Sequence, residues 1–200
     1  MVEEMLSKIR VEDAVTAIED EVYYTTKIEG ARTTRLRTTE LHNGSPISKD
    51  NEFSERMVVN CFNATKFLNV TGNRVSKDIL IKVWNILVEG VCENESIRGE
   101  EYRVGGVQIG SYVPVGAEYV SVLMDKWLSF YNSQELEDMP IVKSIILQFA
   151  FEVIHPFPDG NGRMGRMLIN NYLISRGFEG VRAVSFSKEV DETRTYVCCS

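Results

Sequence analysis

Apolar residues recur along this chain at the spacing of amphipathic helices. In six segments they lie three and four residues apart, so that they would share one face of a helix. Those faces are formed by Val11, Ala14, Val15, Ile18 and Val22; Val58, Cys61, Phe62, Thr65 and Leu68; Ile79, Leu80, Val83, Ile86 and Leu87; Val120, Leu123, Met124, Trp127, Phe130 and Tyr131; Ile141, Ile145, Ile146, Phe149, Ala150 and Val153; and Leu168, Ile169, Tyr172 and Leu173. The pattern predicts an all-α protein, a helical bundle around one core.

Residues at the ends of these segments agree with helix boundaries. Ser76 precedes the third segment as an N-cap, and Gly90 follows it as a stop signal. Pro140 opens the fifth segment at a first-turn position, and Gly177 ends the sixth. The stretch HNGSPISKDN (42–51) is the segment most typical of a loop.

One stretch departs from the helical pattern. In EYRVGGVQIGSY (101–112), apolar and polar residues alternate around Gly105 and Gly106, which is the signal of a two-residue β-hairpin turn. An isolated hairpin is marginally stable in water, so it usually lies beside a site or at an edge. A surface loop is the alternative that the pattern leaves open.

Composition and charge narrow the function classes. The 200 residues suffice for one domain with a substantial core. Because the net charge is −7 and no basic surface is indicated, we expect no nucleic-acid binding. No apolar run approaches membrane-spanning length and the N-terminus is acidic, so we expect a cytoplasmic protein without membrane contact. The four cysteines lack metal-ligand spacing, and with only His42 and His155 a histidine-based zinc site is disfavoured.

The segment HPFPDGNGRMGR (155–166) concentrates reactive and small residues directly after the fifth predicted helix. It contains a G-x-G-x-x-G pattern from Gly160 to Gly165, which by itself indicates a dinucleotide-binding fold. The preceding apolar run has helical periodicity, however, and no alternation of strands and helices surrounds it. The context therefore disfavours a Rossmann oxidoreductase.

The same segment has the features of a phosphate-binding site. A helix that begins near Gly162 would direct its free N–H groups and positive end toward the glycines. Arg163 and Arg166 would lie on one face of that helix as a pair of guanidinium groups. Asp159 is best explained by a cation, most naturally Mg²⁺. His155 is the nearby side chain whose ordinary pKa suits proton abstraction.

These residues resemble, without gaps, the signature H-x-F-x-[DE]-G-N-G-R-x-x-R of the Fic (filamentation induced by cAMP) family. Eight defined positions agree: His155, Phe157, Asp159, Gly160, Asn161, Gly162, Arg163 and Arg166. The resemblance extends to most of the chain. It implies the Fic fold, a helical bundle with one short β-hairpin, called the flap, beside the active site.

The activity that this resemblance implies is protein adenylylation, the transfer of AMP from ATP to a Ser, Thr or Tyr hydroxyl of a target protein. His155 would deprotonate that hydroxyl, and Asp159 would hold Mg²⁺. The residues implied for nucleotide binding are Gly160, Asn161, Gly162 and Arg163 at the α- and β-phosphates and Arg166 at the γ-phosphate. The implied flap residues, which would pair with the backbone of the target, are Val104, Gly105, Gly106 and Val107. Glycine at position 162, where phosphotransferases of the family have lysine, favours nucleotidyl transfer.

A second stretch, TTKIEGARTT (25–34), lies at the end of the first predicted helix. Helical geometry places Glu29 at the end of the face that Ile18 and Val22 bury, with Gly30 as the residue that ends the helix. From the residues alone, an exposed or frayed helix end is the alternative. By resemblance, Thr25, Glu29 and Gly30 match the inhibitory motif [ST]-x-x-x-E-[GN] of one class of Fic proteins. Glu29 would then pair with Arg166 and restrain the enzyme.

We expect residues 1–35 to form an N-terminal segment with the inhibitory helix and residues 36–200 to form the catalytic core. Two alternatives to a self-restrained adenylyltransferase stay open. One is a de-AMPylating hydrolase, or a transferase for another nucleotide or phosphate group, on the same scaffold; the other is a binding or regulatory module with little turnover. The resemblance further implies ATP as substrate, self-AMPylation and a homodimer.

Overall fold

The computed structural model describes residues 11–72, 74–92, 99 and 101–197, and within these ranges the chain forms eight α-helices. They are α1 Val11–Ile28, α2 Arg35–His42, α3 Glu52–Val70, α4 Lys77–Val88, α5 Ala117–Asn132, α6 Pro140–Ile154, α7 Asn161–Ser175 and α8 Phe186–Val197, with two short 3₁₀ helices, Lys49–Asn51 and Glu179–Ala183. The predicted all-α fold is confirmed. Residues 1–10 of the predicted N-terminal segment, residues 198–200 of the predicted core and the side chain of Val11 lie outside the described part of the chain.

Helix α7 lies at the centre of the bundle. It packs against α6 along its length and also contacts α1, α3 and α4. The largest fully buried side chains of the core include Met164 and Tyr172 of α7 itself and Trp84, Tyr131 and Phe151 of other helices. Helix α7, whose first turn contributes to the predicted phosphate site, is therefore fixed by contacts on several sides. None of the described helices has the length and apolar composition needed to cross a membrane.

The predicted boundaries agree with the local structure. The Ser76 hydroxyl caps α4 by accepting the N–H of Ile79 at 3.3 Å, and Pro140 is in the first turn of α6. Gly90 and Gly177 follow α4 and α7 with φ values of 63° and 83°, a conformation that favours glycine.

The predicted buried face of α6 is wrong in most of its residues. Ile141, Ile145, Ile146 and Phe149 are 42–71% exposed, and the buried residues are Lys143, Ser144, Leu147, Phe151 and Ile154. Apolar residues occur all around this helix, so periodicity could not select the inner face. The sequence gives no reason to expect a lysine in the core. Lys143 can be buried because its ammonium group donates to the carbonyl of Ser133 at 2.8 Å and lies over the Phe130 ring at 4.8 Å.

The hairpin turn predicted at Gly105 and Gly106 is also wrong in its position. Neither glycine has the positive φ that a two-residue hairpin turn requires. The described residues here form one antiparallel bridge instead, with two hydrogen bonds of 2.9 Å between Ile109 and Tyr112. Gly110, with φ of 56°, begins the tight turn between them.

Candidate active site

The segment that joins α6 to α7 begins with a residue in a left-handed conformation. His155 ends α6 with φ of 50° and ψ of 64°, and its N–H bonds to the carbonyl of Phe151 at 2.8 Å. This conformation is uncommon for residues other than glycine, and it turns the chain sharply out of the helix. The histidine is thereby placed at the mouth of the loop that precedes α7.

Phe157 fixes this loop in the core. Its side chain is fully buried, stacks on Trp84 with ring centroids 4.8 Å apart and meets the edge of Tyr102 at 5.6 Å. The Asn161 side chain completes the turn, because its Oδ1 accepts the N–H of Phe157 at 2.9 Å and its Nδ2 donates to the Phe157 carbonyl at 2.7 Å. Packing and hydrogen bonds within the protein thus fix the conformation of this loop.

Helix α7 begins at Asn161, one residue before the position expected from the sequence. Gly160 is its N-cap with φ of 78° and contributes no capping side chain. The N–H groups of the first turn of a helix lack partners within the helix, and they carry the positive end of its dipole. The start of α7 therefore offers an anion a set of backbone donors.

Two arginines enclose this helix end. Arg163 is 2% exposed and Arg166 is 7% exposed. Arg163 donates to the carbonyl of Leu87 at 3.4 Å and to Oδ2 of Asp159 at 3.3 Å, both long bonds. Its buried Nε has no hydrogen-bond partner among the described residues. Two buried guanidinium groups next to free N–H donors form a strong site for a phosphate group.

Asp159 is held in place through its backbone. Its carbonyl accepts the indole N–H of Trp84 at 3.0 Å, and its Oδ1 accepts the N–H of Gly160 at 2.6 Å. The side chain is 46% exposed. No group of three or more acidic, histidine or cysteine residues that could hold a metal is found in the described ranges. A single accessible carboxylate still suits Mg²⁺, since this ion takes one or two protein carboxylates together with phosphate oxygens and water.

The environment of His155 favours the neutral imidazole. Burial lowers its pKa from the ordinary value of 6.5, and the charge of Arg103 acts in the same direction. The Glu152 carbonyl opposes this shift, although it does not meet Nδ1 in hydrogen-bond geometry: Nδ1 is buried without a partner among the described residues. A neutral imidazole at neutral pH is the form that accepts a proton.

The predicted pair between Glu29 and Arg166 is present. Oε1 of Glu29 accepts from Nη2 of Arg166 at 2.7 Å. Thr25 binds the same guanidinium, its hydroxyl accepting from Nε at 2.8 Å and its carbonyl from Nη2 at 3.4 Å. The Glu29 side chain is 27% exposed, so it lies at the edge of the site rather than deep in the core.

Gly30 and Gly162 explain how the carboxylate reaches this position. Helix α1 ends at Ile28, and Gly30 follows with φ of 91°. The N–H of Ala31 bonds to the carbonyl of Thr26 at 3.0 Å, as in a Schellman motif. At Gly162, any side chain would collide with Oε1 of Glu29. The carboxylate therefore lies directly against the first turn of α7, where an anion would bind.

The flap residues are joined to the loop by an arginine that the sequence analysis did not identify. Arg103 is 5% exposed; its N–H bonds to the carbonyl of Pro156 at 2.9 Å and its Nε to that of His155 at 2.7 Å. Beyond it, Val104 is 92% exposed, Gly105 and Gly106 are exposed and Val107 is half-buried. The four predicted flap residues thus follow directly after a residue that is bound to His155, and they form no hairpin. Among them, the Gly105 carbonyl accepts from Nη1 of Arg103 at 2.9 Å.

Trp84 and Glu152 are further site residues that the sequence did not reveal. A tryptophan in an apolar helix is typical of a core residue, and a glutamate in the last turn of α6 is typical of a solvated face. Their partners, the Asp159 carbonyl and α7, come from parts of the chain that only the tertiary fold brings together.

Comparisons with known proteins agree with this geometry. Residues 74–173 match the Fic/DOC family. Protein adenylyltransferase Fic of Aedes aegypti is 31% identical over 170 residues, which cover 80% of this chain and 33% of that protein. The Drosophila ananassae protein of the same name is 27% identical over 175 residues, with the same coverage. The chain thus spans 33% of the length of these curated relatives.

Solved structures resemble the fold. Fic-1 of C. elegans (residues 134–508) has a TM-score of 0.73 at 23% identity, over 90% of this chain and 58% of that one. A Fic family protein of Desulfovibrio desulfuricans G20 has a TM-score of 0.72 at 24% identity, over 88% and 53%. The family match includes the whole loop from His155 and α7 as far as Leu173, with both arginines. The chain belongs to the Fic/DOC family.

Proposed function

We propose that this chain is a protein adenylyltransferase that its own N-terminal helix restrains. The observation that supports this most is the joint placement of a histidine with a lowered pKa and two buried arginines at the free N-terminus of α7. Such a site neutralises phosphate charge and accepts a proton at one place. The printed names of the curated relatives support the same activity.

In the proposed reaction, ATP lies with its α- and β-phosphates at Gly160, Asn161, Gly162 and Arg163 and its γ-phosphate at Arg166. A hydroxyl oxygen of the target protein attacks the α-phosphorus, the bond to the β-phosphate breaks, and pyrophosphate leaves. His155 takes the hydroxyl proton. The products are an AMP ester of the target and pyrophosphate.

Asp159 would hold Mg²⁺, and the bound ion would neutralise charge on the phosphate oxygens. The flap, Val104 to Val107, would register the target by backbone pairing, which its exposed backbone supports. Self-AMPylation and a homodimer are further proposals that follow from the family.

Glu29 supports the proposed restraint because it occupies Arg166 and covers Gly162. A carboxylate at this position competes with phosphate for the same guanidinium donors. Residues 1–35 would then be a regulatory segment and residues 36–200 the catalytic core.

Label transfer tests the proposed function. Wild-type protein, Glu29→Gly and Glu29→Gly/His155→Ala are incubated with Mg²⁺ and with ATP labelled at either the α- or the γ-phosphorus. Label from the α-position on protein, strongest with Glu29→Gly and absent from the double variant, is expected. Label from the γ-position would indicate phosphotransfer instead.

A de-AMPylating hydrolase is the second candidate, because the Glu29 carboxylate lies where it could orient a water toward a bound phosphate. This activity is tested by incubating AMP-modified protein with the wild type. Release of AMP by the wild type, but not by Glu29→Gly, would favour the hydrolase.

A further inference from the structure

Every side-chain hydrogen bond that Arg166 makes with the described residues goes to the end of α1 or to the residue directly after it. Its partners are the hydroxyl and carbonyl of Thr25 and the carboxylate of Glu29. If α1 is displaced to admit ATP, all three contacts are lost together. A guanidinium left without a partner in a largely buried position is costly. Before the γ-phosphate binds, Arg166 therefore needs another group to hold its position.

A second carboxylate lies close to the same guanidinium, and it belongs to the core. Glu152 is half-buried in the last turn of α6. A methyl group added at Gly165 would lie 2.8 Å from its Oε1, so the missing side chain of Gly165 makes the room that this carboxylate occupies. Gly165 directly precedes Arg166 in α7. The Glu152 carboxylate makes no hydrogen bond or ion pair with any residue that the structure describes.

The charges of the three groups are coupled. Burial raises the pKa of Glu152, Arg166 lowers it and Glu29 raises it. Glu29 and Glu152 thus repel each other around one cation. When Glu29 withdraws, this repulsion ends while Glu152 remains attached to α6.

We propose that Glu152 takes over Arg166 from Glu29 when α1 is displaced, and that it holds the guanidinium at the γ-phosphate end of the site. One carboxylate uses only part of the five-donor fork of an arginine, and the remaining donors stay available to phosphate. Glu152 is therefore a positioning residue: it acts on the nucleotide through Arg166. The inference rests on the proposed function, in which Arg166 binds the γ-phosphate.

Binding of two nucleotides separates this role from a purely structural one. Dissociation constants for ATP and ADP are measured by calorimetry on Glu29→Gly and Glu29→Gly/Glu152→Gln. Because ADP lacks the γ-phosphate, we expect the second substitution to weaken ATP binding about tenfold and ADP binding less than about twofold. The matched control is Glu29→Gly/Glu137→Gln, since Glu137 pairs with Arg176 at 2.6 Å on the surface. It should change neither constant.

Gly165→Ala provides an independent variant, since its methyl group would displace the Glu152 carboxylate without removing it. We expect the same selective loss of ATP affinity in the Glu29→Gly background. Alanine also favours a helix interior over glycine, so loss of folding is not expected.

The outcomes are distinct. Selective weakening of ATP in both variants supports the inference. Three results would overturn it, provided that Glu29→Gly still binds ATP and transfers AMP. They are equal weakening of ATP and ADP binding, no change in either, and tighter ATP binding by the Glu152→Gln variant. If Glu29→Gly neither binds ATP nor transfers label, the proposed function itself fails.

Discussion

The loop that forms the phosphate site and the helix that covers it are attached to the protein in different ways. The loop is part of the core: Phe157 is fully buried and Asn161 and Arg163 are at most 2% exposed. Its backbone is bound by the side chains of Trp84 and Asn161. Close-packed contacts of this kind are lost only if the core is disturbed.

Helix α1, in contrast, buries two apolar residues, Ala17 and Val22, and is also held by polar contacts with α8. Lys27 pairs with Asp191 of α8 at 2.6 Å, and Glu21 accepts the N–H of Ser187 at 2.8 Å. Exposed ion pairs contribute little each. The comparison indicates that the site is preformed, whereas its cover is held by contacts that can be exchanged. We therefore expect the rate of catalysis to depend strongly on the loop. The strength of the restraint should decrease stepwise as contacts of α1 are removed.

Removing the base should have the largest effect. We expect His155→Asn in the Glu29→Gly background to lower the rate of AMP transfer by about 10²–10⁴-fold, the usual contribution of a general base. Asparagine tolerates the left-handed conformation at this position, so the loop should keep its structure. Initial rates and thermal unfolding check this, and a fall in rate below about tenfold with the fold intact would contradict the role of His155.

Removing the restraint should have the next largest effect. We expect Glu29→Gly to raise the rate of AMP transfer by about 10- to 100-fold, because a charge-assisted pair that competes with phosphate is lost. Glu29→Gln is the graded control: it keeps the shape of the side chain without its charge and should raise the rate less. An unchanged rate in a folded Glu29→Gly protein would exclude the restraint.

A pair of tryptophan variants tests the loop directly. Trp84→Phe keeps an aromatic ring against Phe157 but loses the hydrogen bond to the Asp159 carbonyl; Trp127→Phe loses an equivalent bond to Leu147 at 2.8 Å, away from the site. Each should lower the free energy of unfolding by about 1–3 kcal/mol. Only Trp84→Phe should also raise KM for ATP in the Glu29→Gly background, by about three- to tenfold. Equal KM values for both would show that the indole does not position the loop.

The fold was predictable where helices are rich in apolar residues, and it was missed where they are mostly polar. Helix α2 buries Thr38 and Leu41 and leaves its other leucine, Leu36, 70% exposed, so its sequence RLRTTELH gives no continuous apolar face. It forms because Thr34 caps it and because Arg35 binds Glu19 and Asp20 of α1. Helix α8 is likewise polar on average and packs against α1. Tertiary contacts, rather than the local pattern of apolar residues, determine whether such helices form.

The site was predictable to the extent that it is one contiguous stretch. Residues 155–166 suffice to indicate an anion site, and the structure brings Glu29 to Arg166 as expected. Arg103 and Trp84 were missed because each binds a segment distant in the chain: Arg103 the His155 carbonyl, Trp84 that of Asp159. The hairpin turn at Gly105 was misplaced for a related reason, since the Arg103 side chain binds the Gly105 carbonyl at 2.9 Å, a contact that the alternating pattern does not indicate.

The pH dependence of the released enzyme follows from the environment of His155. Its pKa lies below the ordinary 6.5, so the neutral imidazole already predominates at pH 6.5 and at every higher pH. We expect the kcat/KM of Glu29→Gly to be level from about pH 7 to 8 and to fall only below about pH 6.5. A pH–rate profile with its lower limb above 7 would show that the imidazole is not desolvated.

The contact between Lys27 and Asp191 should have the smallest effect, and it tests whether restraint is graded. Asp191 raises the pKa of Lys27, and the lysine is 47% exposed. Lys27→Met removes the charge but keeps the length of the side chain. Because exposed pairs contribute at most about 1 kcal/mol, the basal rate of AMP transfer should rise by less than about fivefold, and added salt should reproduce part of that rise. In the Glu29→Gly background the same substitution should have no effect, since the contact acts only by keeping α1 over Arg166. An equal rise in both backgrounds would mean that Lys27 acts on the reaction by a route other than this helix.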